Sequence, residues 1–131
     1  MENLKAFGRN IFGTLAVQTA YTKCDYYADQ LMEYLQGNLE YTHKFLSENI
    51  PQIKLGPIQA TYLLWLDCKA LNMEHSNMMN FFLEKAKVAM NDGYTFGPGG
   101  DGFMRLNIAC PLAQLAEALE RMAKAVKELN K

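Results

Sequence analysis

Residues 96–111, FGPGGDGFMRLNIACP, contain the spacing that comes closest to a chemical motif in this sequence. Gly97, Gly99 and Gly102 fit the G-x-G-x-x-G pattern of a dinucleotide-binding loop. Such a loop follows a strand and opens a helix, because the helix N-terminus binds the pyrophosphate. Here a strand-like segment, FMRLNIA, follows Gly102 instead. We therefore interpret the glycines as a flexible or tight loop with positive φ angles.

Arg105 is the side chain of this segment that is best suited to bind a ligand. Strand alternation places Met104 and Leu106 on a core face, and Arg105 and Asn107 on the opposite face. A guanidinium among apolar neighbours is costly to bury unless an anion pairs with it. Its planar fork suits a carboxylate. From the residues alone two interpretations stay open: a ligand-binding arginine, and an edge-strand arginine in a surface or interdomain salt bridge.

No other group of residues predicts a catalytic or metal site. His43 and His75 each lie in a polar helical context without a Cys, Asp or His at ligand spacing, so we expect surface histidines. The methionines at 73, 78 and 79 favour core packing over soft-metal binding. No Ser-His-Asp or Cys-His set is present that would support nucleophilic catalysis. We predict no catalytic residue, no cofactor-binding residue and no metal ligand in this chain.

The composition is that of an ordinary globular domain. The chain has 131 residues, half of them hydrophobic and 21% charged, with a net charge of −1. Such a charge gives no strong field for nucleic acid or anionic lipid, and no apolar run approaches the length of a membrane span. The three cysteines, at 24, 68 and 110, are odd in number and far apart, which favours reduced thiols in a cytoplasmic protein.

The first fifty residues predict a long helical N-terminal segment. Residues 10–23 can form one helix, and Asp25 is a plausible N-cap for a longer one. Gly37 weakens that second helix at mid-length, so the segment is either two pieces or one kinked piece. Its predicted apolar stripe consists of Tyr27, Leu31, Tyr34, Leu35, Tyr41 and Phe45.

The remainder predicts strands and helices in mixed order. Residues 53–55 and 60–67 are expected to be extended, the latter covered on both faces. Residues 74–90 return to helical spacing, with Gly93 as the helix stop. A strand at 103–109 and a helix after Pro111 complete the chain. The stripe of that last helix is Leu112, Leu115, Leu119, Met122, Val126 and Leu129. The predicted fold class is α+β, a small and mostly antiparallel sheet packed with helices.

Three segments together resemble a known family: FGTLAVQTAYTKCDYYADQLMEYLQGN, ATYLLWLD and GYTFGPGGDGFMRLNIACP. They are similar to the C-terminal small domain of fold-type-I pyridoxal-phosphate enzymes of the class I/II aminotransferase superfamily. The branch that they resemble most is the cystathionine β-lyase (C–S lyase, MalY/PatB-type) group. The resemblance covers residues from about 10 to 129. It implies an aminotransferase small-domain-like fold.

The resemblance also implies roles for two residues. In such enzymes the arginine of the RLN motif binds the α-carboxylate of the amino-acid substrate, which here is Arg105. Asn107 would then be a supporting residue, and the glycine loop would place Arg105 and help the domain to close over the substrate. The implied reaction of the intact enzyme is β-elimination from a sulfur amino acid, giving pyruvate, ammonia and a thiol. The resemblance implies a pyridoxal 5′-phosphate cofactor and a homodimer.

The departure from the family is that no large cofactor domain is present in residues 1–131, which we expect to form a single domain. In the family the large domain supplies the Schiff-base lysine, and neither Lys23 nor Lys54 has a matching context. We therefore expect a fragment that binds no cofactor and does not catalyse alone. Two alternatives stay open: the small domain of an aminotransferase, and a free-standing carboxylate-binding module. A structural module, with Arg105 paired to Asp67 or Asp101, is a third possibility.

Overall fold

The computed structural model describes residues 10–129, which divide into two compact units at Tyr34 and Leu35. The N-terminal unit contains helix α1 (Ile11–Lys23) and the start of helix α2 (Asp25–Asn49). The Asn10 side chain caps α1 by accepting the Phe12 N–H at 2.9 Å. Both helices are confirmed. The N-cap prediction for Asp25 is wrong, because α2 begins at Asp25 itself, where the carboxylate lies in the first turn and favours the positive helix terminus.

The apolar side chains of the N-terminal unit are mostly exposed. No residue of α1 is buried, and in α2 the predicted stripe members Tyr27, Leu31 and Tyr34 are exposed. The predicted apolar stripe is therefore uncovered over the first turns of α2. Helical periodicity identifies which side chains share a face, but it does not identify what covers that face.

The second unit begins with the remainder of α2, which runs past Gly37 without a break. The buried positions here are Leu35, Asn38, Thr42 and Leu46. Asn38 is almost fully buried, and its Nδ2 donates to the carbonyl oxygens of Ile108 at 2.8 Å and Cys110 at 3.0 Å. A buried amide must find such partners. Asn38 therefore fixes the segment that leaves the last strand of the sheet.

The sheet has four strands in the order β1-β2-β4-β3, and every neighbouring pair is antiparallel. The strands are β1 (Lys54–Leu55), β2 (Leu63–Asp67), β3 (Asn91–Asp92) and β4 (Phe103–Asn107). The predicted α+β class is confirmed. In β2 the side chains of Leu64 and Leu66 are fully buried, whereas Trp65 between them is half-buried. The prediction of a strand covered on both faces is therefore wrong.

Between β2 and β3 the chain forms a short 3₁₀ turn (Lys69–Leu71), helix α3 (His75–Asn80) and a wide π-type turn (Phe81–Lys85). The predicted helix over 74–90 therefore ends early. Lys87 adopts a positive φ of 54°, after which the chain becomes extended in β3. Gly93 is not a helix stop but the first residue of a 3₁₀ turn, so that part of the prediction is wrong.

Helix α4 (Leu112–Leu129) closes the core of the second unit. Leu115, Leu119, Met122 and Val126 are buried as predicted, but the terminal members of the stripe, Leu112 and Leu129, are exposed. On the exposed side, Arg121 forms an i,i+4 ion pair with Glu117 at 3.7 Å. The core joins α4, the second part of α2, Phe81 and Phe82, and one face of the sheet. The other sheet face is left for Arg105.

Candidate functional site

Strand β4 presents Arg105 on the sheet face opposite the core. Met104 and Leu106 are buried in the core, Arg105 between them is half-buried, and Asn107 is exposed. The alternation predicted for this strand is confirmed. Because β2 and β3 flank β4, Arg105 lies opposite Trp65 on one side and Asn91 on the other. The edges of the site are thus fixed by backbone pairing.

Two side chains hold the guanidinium of Arg105. Its Nη2 donates to Oδ1 of Asn91 at 3.1 Å. Its Cζ lies 4.4 Å from the ring centroid of Phe96, which is the geometry of a cation–π contact. Trp65 packs its ring edge against Phe96, with 5.6 Å between the centroids and 77° between the planes. Trp65 also stacks on Phe103 at 5.6 Å. Phe96, Trp65 and Phe103 therefore form a connected aromatic cluster, of which Phe96 contacts the charged group.

Arg105 has no carboxylate partner among residues 10–129. Asp67 instead accepts the backbone N–H of Lys69 at 3.0 Å, and Asp101 lies in a cavity of about 470 Å³ with His75. The arrangement of a purely structural arginine, paired with Asp67 or Asp101, is therefore not observed. Nε of Arg105 is buried and has no hydrogen-bond partner. A buried donor of a cation without an acceptor is rare, because its lost hydration is not replaced.

Asn107 does not contact Arg105 through any hydrogen bond in the described part of the chain. Its Oδ1 accepts the backbone N–H of Ala109 at 2.8 Å, two residues further on. This local bond shapes the exit from β4, as Asn side chains commonly do in turns. A supporting role for Asn107 toward a ligand stays a prediction.

The glycine loop consists of two 3₁₀ turns, Gly93–Phe96 and Pro98–Gly100, that lead into β4. The predicted positive φ angles are present at Gly97 (119°) and Gly102 (78°) but not at Gly99. A Cβ at Gly93 would meet the Gly100 carbonyl oxygen, and a Cβ at Gly100 would meet that of Gly93. The loop therefore closes through a glycine pair outside the G-x-G-x-x-G pattern. A strand follows it, so no helix N-terminus is available for a pyrophosphate.

The sequence analysis missed the two residues that hold Arg105. Asn91 belongs to a two-residue strand, which is too short for an alternation pattern, and Phe96 lies in a turn. The one available signal was Asn-Asp-Gly at 91–93, a combination typical of chain reversal. It marks the start of the loop that returns the chain to β4.

The other sequence-predicted candidates lie apart from Arg105. His43 is exposed, and His75 stacks on Tyr94 with 4.4 Å between the ring centroids. Met78 is buried in the core, as predicted, whereas Met79 is exposed. Within residues 10–129 no group of three or more His, Cys, Asp or Glu side chains could hold a metal ion. No helix in that range is long and apolar enough to cross a bilayer.

The three cysteines are free thiols, and Cys68 is completely buried. Burial raises the pKa of the Cys68 thiol to about 12, and the charge of Asp67 adds to the rise. Burial also raises the pKa of Cys110. Because the thiolate is the reactive form, Cys68 is expected to be inert in the folded protein.

We expect N-ethylmaleimide at pH 8 to modify half-buried Cys24 while Cys68 stays unmodified until urea unfolds the chain. A pKa of about 12 instead of the ordinary 9.0 lowers the thiolate fraction at pH 8 by roughly 1,000-fold. Since the folded pKa is the higher one, this thiol stabilises the fold below pH 9, and the contribution is lost as the pH rises from about 9 to 12. Mass spectrometry of peptides from native and unfolded samples checks this. Equal labelling of both cysteines in the native chain would contradict it.

Several known pyridoxal-phosphate enzymes share sequence and fold with this chain. No protein-family model matches the chain. Cystathionine β-lyase PatB from Bacillus subtilis is 38% identical over 119 residues, which are 91% of this chain and 31% of that protein. Cystalysin from Treponema denticola, whose crystal structure contains pyridoxal 5′-phosphate, has a TM-score of 0.88 and 38% identity over 92% of this chain and 30% of its own. Over this shared part, the chain is similar to cystathionine β-lyases and has the fold of the small domain of a pyridoxal-phosphate enzyme.

A second curated relative shows the same partial similarity. MalY from Escherichia coli is 34% identical over 111 residues, which are 85% of this chain and 28% of that protein. The chain thus spans about a third of the length of the curated relatives that it matches. More distant matches include aminotransferases, and at 21% identity the solved one from Pyrococcus horikoshii shares the fold alone. The predicted small domain of a pyridoxal-phosphate enzyme is confirmed.

The residues around Arg105 fit an anion such as a carboxylate better than they fit pyridoxal 5′-phosphate. Arg105 offers a cation with an unpaired donor, and Asn91 and Phe96 occupy only part of it. In a pyridoxal-phosphate site a lysine amine forms the Schiff base, and other groups hold the pyridine nitrogen and the phosphate. The residues around Arg105 include no such set. The cofactor chemistry of cystathionine β-lyases would therefore depend on residues outside this site.

Proposed function

We propose that this chain is the substrate-carboxylate-binding domain of a pyridoxal-phosphate-dependent C–S lyase. Arg105 binds the α-carboxylate of a sulfur amino acid, and the whole protein releases pyruvate, ammonia and a thiol by β-elimination. The observation that carries the proposal is Arg105 itself: a half-buried guanidinium on the sheet face away from the core, with a buried unpaired Nε and no carboxylate partner in the described residues. Relatives named as cystathionine β-lyases and C–S lyases support the reaction class.

Arg105 contributes binding and orientation. A carboxylate held by a planar guanidinium has few orientations available, so the α-carbon attached to it is fixed relative to the sheet. Pyridoxal 5′-phosphate, when bound by the whole protein, supplies the electron sink for chemistry at that carbon. The aromatic surface of Trp65, Phe96 and Phe103 excludes water beside the charge and thereby strengthens the ion pair.

A titration of the ¹⁵N-labelled chain with L-alanine tests the carboxylate site. We expect the Nε–H resonance of Arg105 to shift and saturate, because its guanidinium has no carboxylate partner in residues 10–129. The resonance of Arg121, which pairs with Glu117 on an exposed helix surface, is the internal control and is expected to stay in place. L-Alaninamide lacks the carboxylate and is expected to cause no shift. Equal shifts at both arginines, or with both ligands, would reject a specific site.

We further propose that the chain alone does not catalyse. A spectroscopic titration with pyridoxal 5′-phosphate, followed by L-cystathionine and a pyruvate assay, is expected to give no saturable protein-bound absorption band and no pyruvate. A saturable band that disappears when one lysine is replaced would show that the chain carries its own cofactor site. The fragment would then be complete for cofactor binding, contrary to the proposal.

An aminotransferase is the second candidate for the whole protein. An aspartate aminotransferase from Pyrococcus horikoshii is 29% identical over 61% of this chain, so the same domain occurs with that activity in a relative. The carboxylate-binding role of Arg105 is common to both reactions. Product analysis of the whole protein distinguishes them, since pyruvate released from L-cystathionine without a keto-acid acceptor supports the lyase. For both candidates we propose a homodimer.

A further inference from the structure

We propose that Asn91 and Phe96 are positioning residues that set the orientation and the hydration of Arg105, and thereby its affinity for a carboxylate. This inference rests on the proposed function of Arg105 and adds two residues that only the structure brings next to it. Both belong to the segment between α3 and β4, Asn91 in the edge strand and Phe96 in the glycine loop. The loop would thus act through these two side chains rather than through phosphate binding.

Asn91 fixes the rotation of the guanidinium without neutralising it. Strand pairing places Asn91 directly opposite Arg105, and its Oδ1 accepts a hydrogen from Nη2 at 3.1 Å. An amide oxygen is a neutral acceptor, so the full positive charge stays available for an external anion. No hydrogen bond within residues 10–129 uses Nη1. A carboxylate at the same position as the Asn91 amide would instead form an internal ion pair and compete with the ligand.

Phe96 lies against the guanidinium, with Cζ of Arg105 over its ring at 4.4 Å from the centroid. A phenyl ring accepts no N–H···O hydrogen bond and carries no charge, so it reduces the water beside the cation without neutralising it. The N–H donors of arginine stay the groups that bind a carboxylate oxygen. Trp65 packs edge-on against this ring and holds it in place. A carboxylate that meets a partly dehydrated cation gains more electrostatic energy than one that meets a cation in water.

Core packing does not account for Phe96, because 52% of its surface is exposed. Tyr94, two residues earlier in the same turn, is equally exposed at 53% but stacks on His75 instead of Arg105. The two aromatic side chains thus share their turn and their exposure and differ in their partner. Tyr94 is therefore a matched control for Phe96.

The test uses the full ¹⁵N-labelled chain and L-alanine, with Arg105 Nε–H as the reporter. For Phe96→Ala we expect hydrogen exchange at Nε to be roughly tenfold faster or more, and L-alanine affinity to fall about twofold to fivefold. Phe96→Tyr keeps the aromatic ring, so we expect it to retain the exchange rate and the affinity of the unmodified chain. Tyr94→Ala is expected to change neither value.

For Asn91→Ala we expect a less ordered Nε–H vector in ¹⁵N relaxation and a loss of affinity of about twofold to tenfold. Asn91→Asp is expected to order the guanidinium through an internal ion pair and to lower the affinity for L-alanine at least about tenfold.

The outcomes separate this inference from the function on which it rests. If the unmodified chain gives no saturable Arg105 shift with L-alanine, the proposed function fails and this inference fails with it. In another outcome, the unmodified chain shows a saturable Arg105 shift while Phe96→Ala and Asn91→Ala keep its Nε–H exchange rate, its Nε–H order and its affinity for L-alanine. That result overturns this inference alone. Equal effects of Phe96→Ala and Tyr94→Ala would show a general disturbance of the turn, and would also overturn it. Far-ultraviolet circular dichroism of each variant verifies that the chain is folded.

Discussion

Replacing Gly100 by alanine is expected to destabilise the chain by about 2–4 kcal/mol, the range of a severe steric conflict in a packed site. Gly100 is buried, and its amide donates to the Gly97 carbonyl oxygen at 2.9 Å. A Cβ at Gly100 would overlap the backbone of Gly93. The conflict involves backbone atoms on both sides, so no side-chain rotation relieves it. The loop would have to open, and the pairing of β3 with β4 would be lost.

Gly99→Ala is the matched control, since it lies one residue earlier in the same turn. No atom lies within 4 Å of a Cβ placed at Gly99, and its φ is not positive. We expect its free energy of unfolding to stay within about 0.5 kcal/mol of the unmodified chain. Urea unfolding followed by circular dichroism measures both variants. If Gly100→Ala proved as stable as Gly99→Ala, the close approach of Gly93 and Gly100 would be wrong.

The same loop shows how far a spacing motif can be interpreted from sequence. G-x-G-x-x-G correctly identified a turn, and the strand pattern after Gly102 correctly argued against nucleotide binding. The motif nevertheless includes Gly99, which has open space, and omits the pair Gly93 and Gly100. Two glycines seven residues apart meet only after the chain has reversed direction. A contact of this kind depends on tertiary structure, so local spacing does not encode it.

Strand alternation and helical periodicity predicted those strands and helices that bury one whole face in the core. Strand β4 alternates over five residues, and its orientation of Arg105 was correct. Strand β3 has two residues and carries no detectable period, although it supplies the Arg105 partner Asn91. The early end of α3 was also missed, because the wide turn at Phe81–Lys85 keeps apolar residues at helical spacing while the helix itself stops.

The buried polar residue Asn38 shows a second kind of contact that could not be predicted from the sequence. It occupies a core position between Leu35 and Thr42 on the buried side of α2 and was not part of the predicted stripe. Its partners are the carbonyl groups of Ile108 and Cys110, about seventy residues away in the chain. Sequence alone shows an interruption of the apolar stripe, and only the fold shows that it fixes the exit of the strand carrying Arg105.

Replacing Arg105 by methionine is expected to remove carboxylate binding while leaving stability within about 1 kcal/mol of the unmodified chain. Methionine loses the hydrogen bond to Asn91 and the cation–π contact with Phe96, together worth about 1–2.5 kcal/mol. It also removes the buried unpaired Nε–H, which costs about 1–3 kcal/mol to keep dehydrated. The two changes nearly cancel. If an arginine stabilised the fold through a buried ion pair, its replacement would instead lower the free energy of unfolding by about 3–5 kcal/mol.

Urea unfolding and an L-alanine titration of Arg105→Met, followed at the backbone amides of residues 91 and 105, separate the two roles. Arg121→Met is the control, because this exposed residue and its Glu117 partner contribute little to stability and lie on α4. We expect the control to bind L-alanine as the unmodified chain does, and Arg105→Met to lose at least about tenfold in affinity, since the cation that a carboxylate requires is gone. A loss of 3 kcal/mol or more with binding unchanged would make Arg105 a structural residue. An unchanged free energy of unfolding with binding abolished would mean that the chain keeps Arg105 for a ligand and not for its fold.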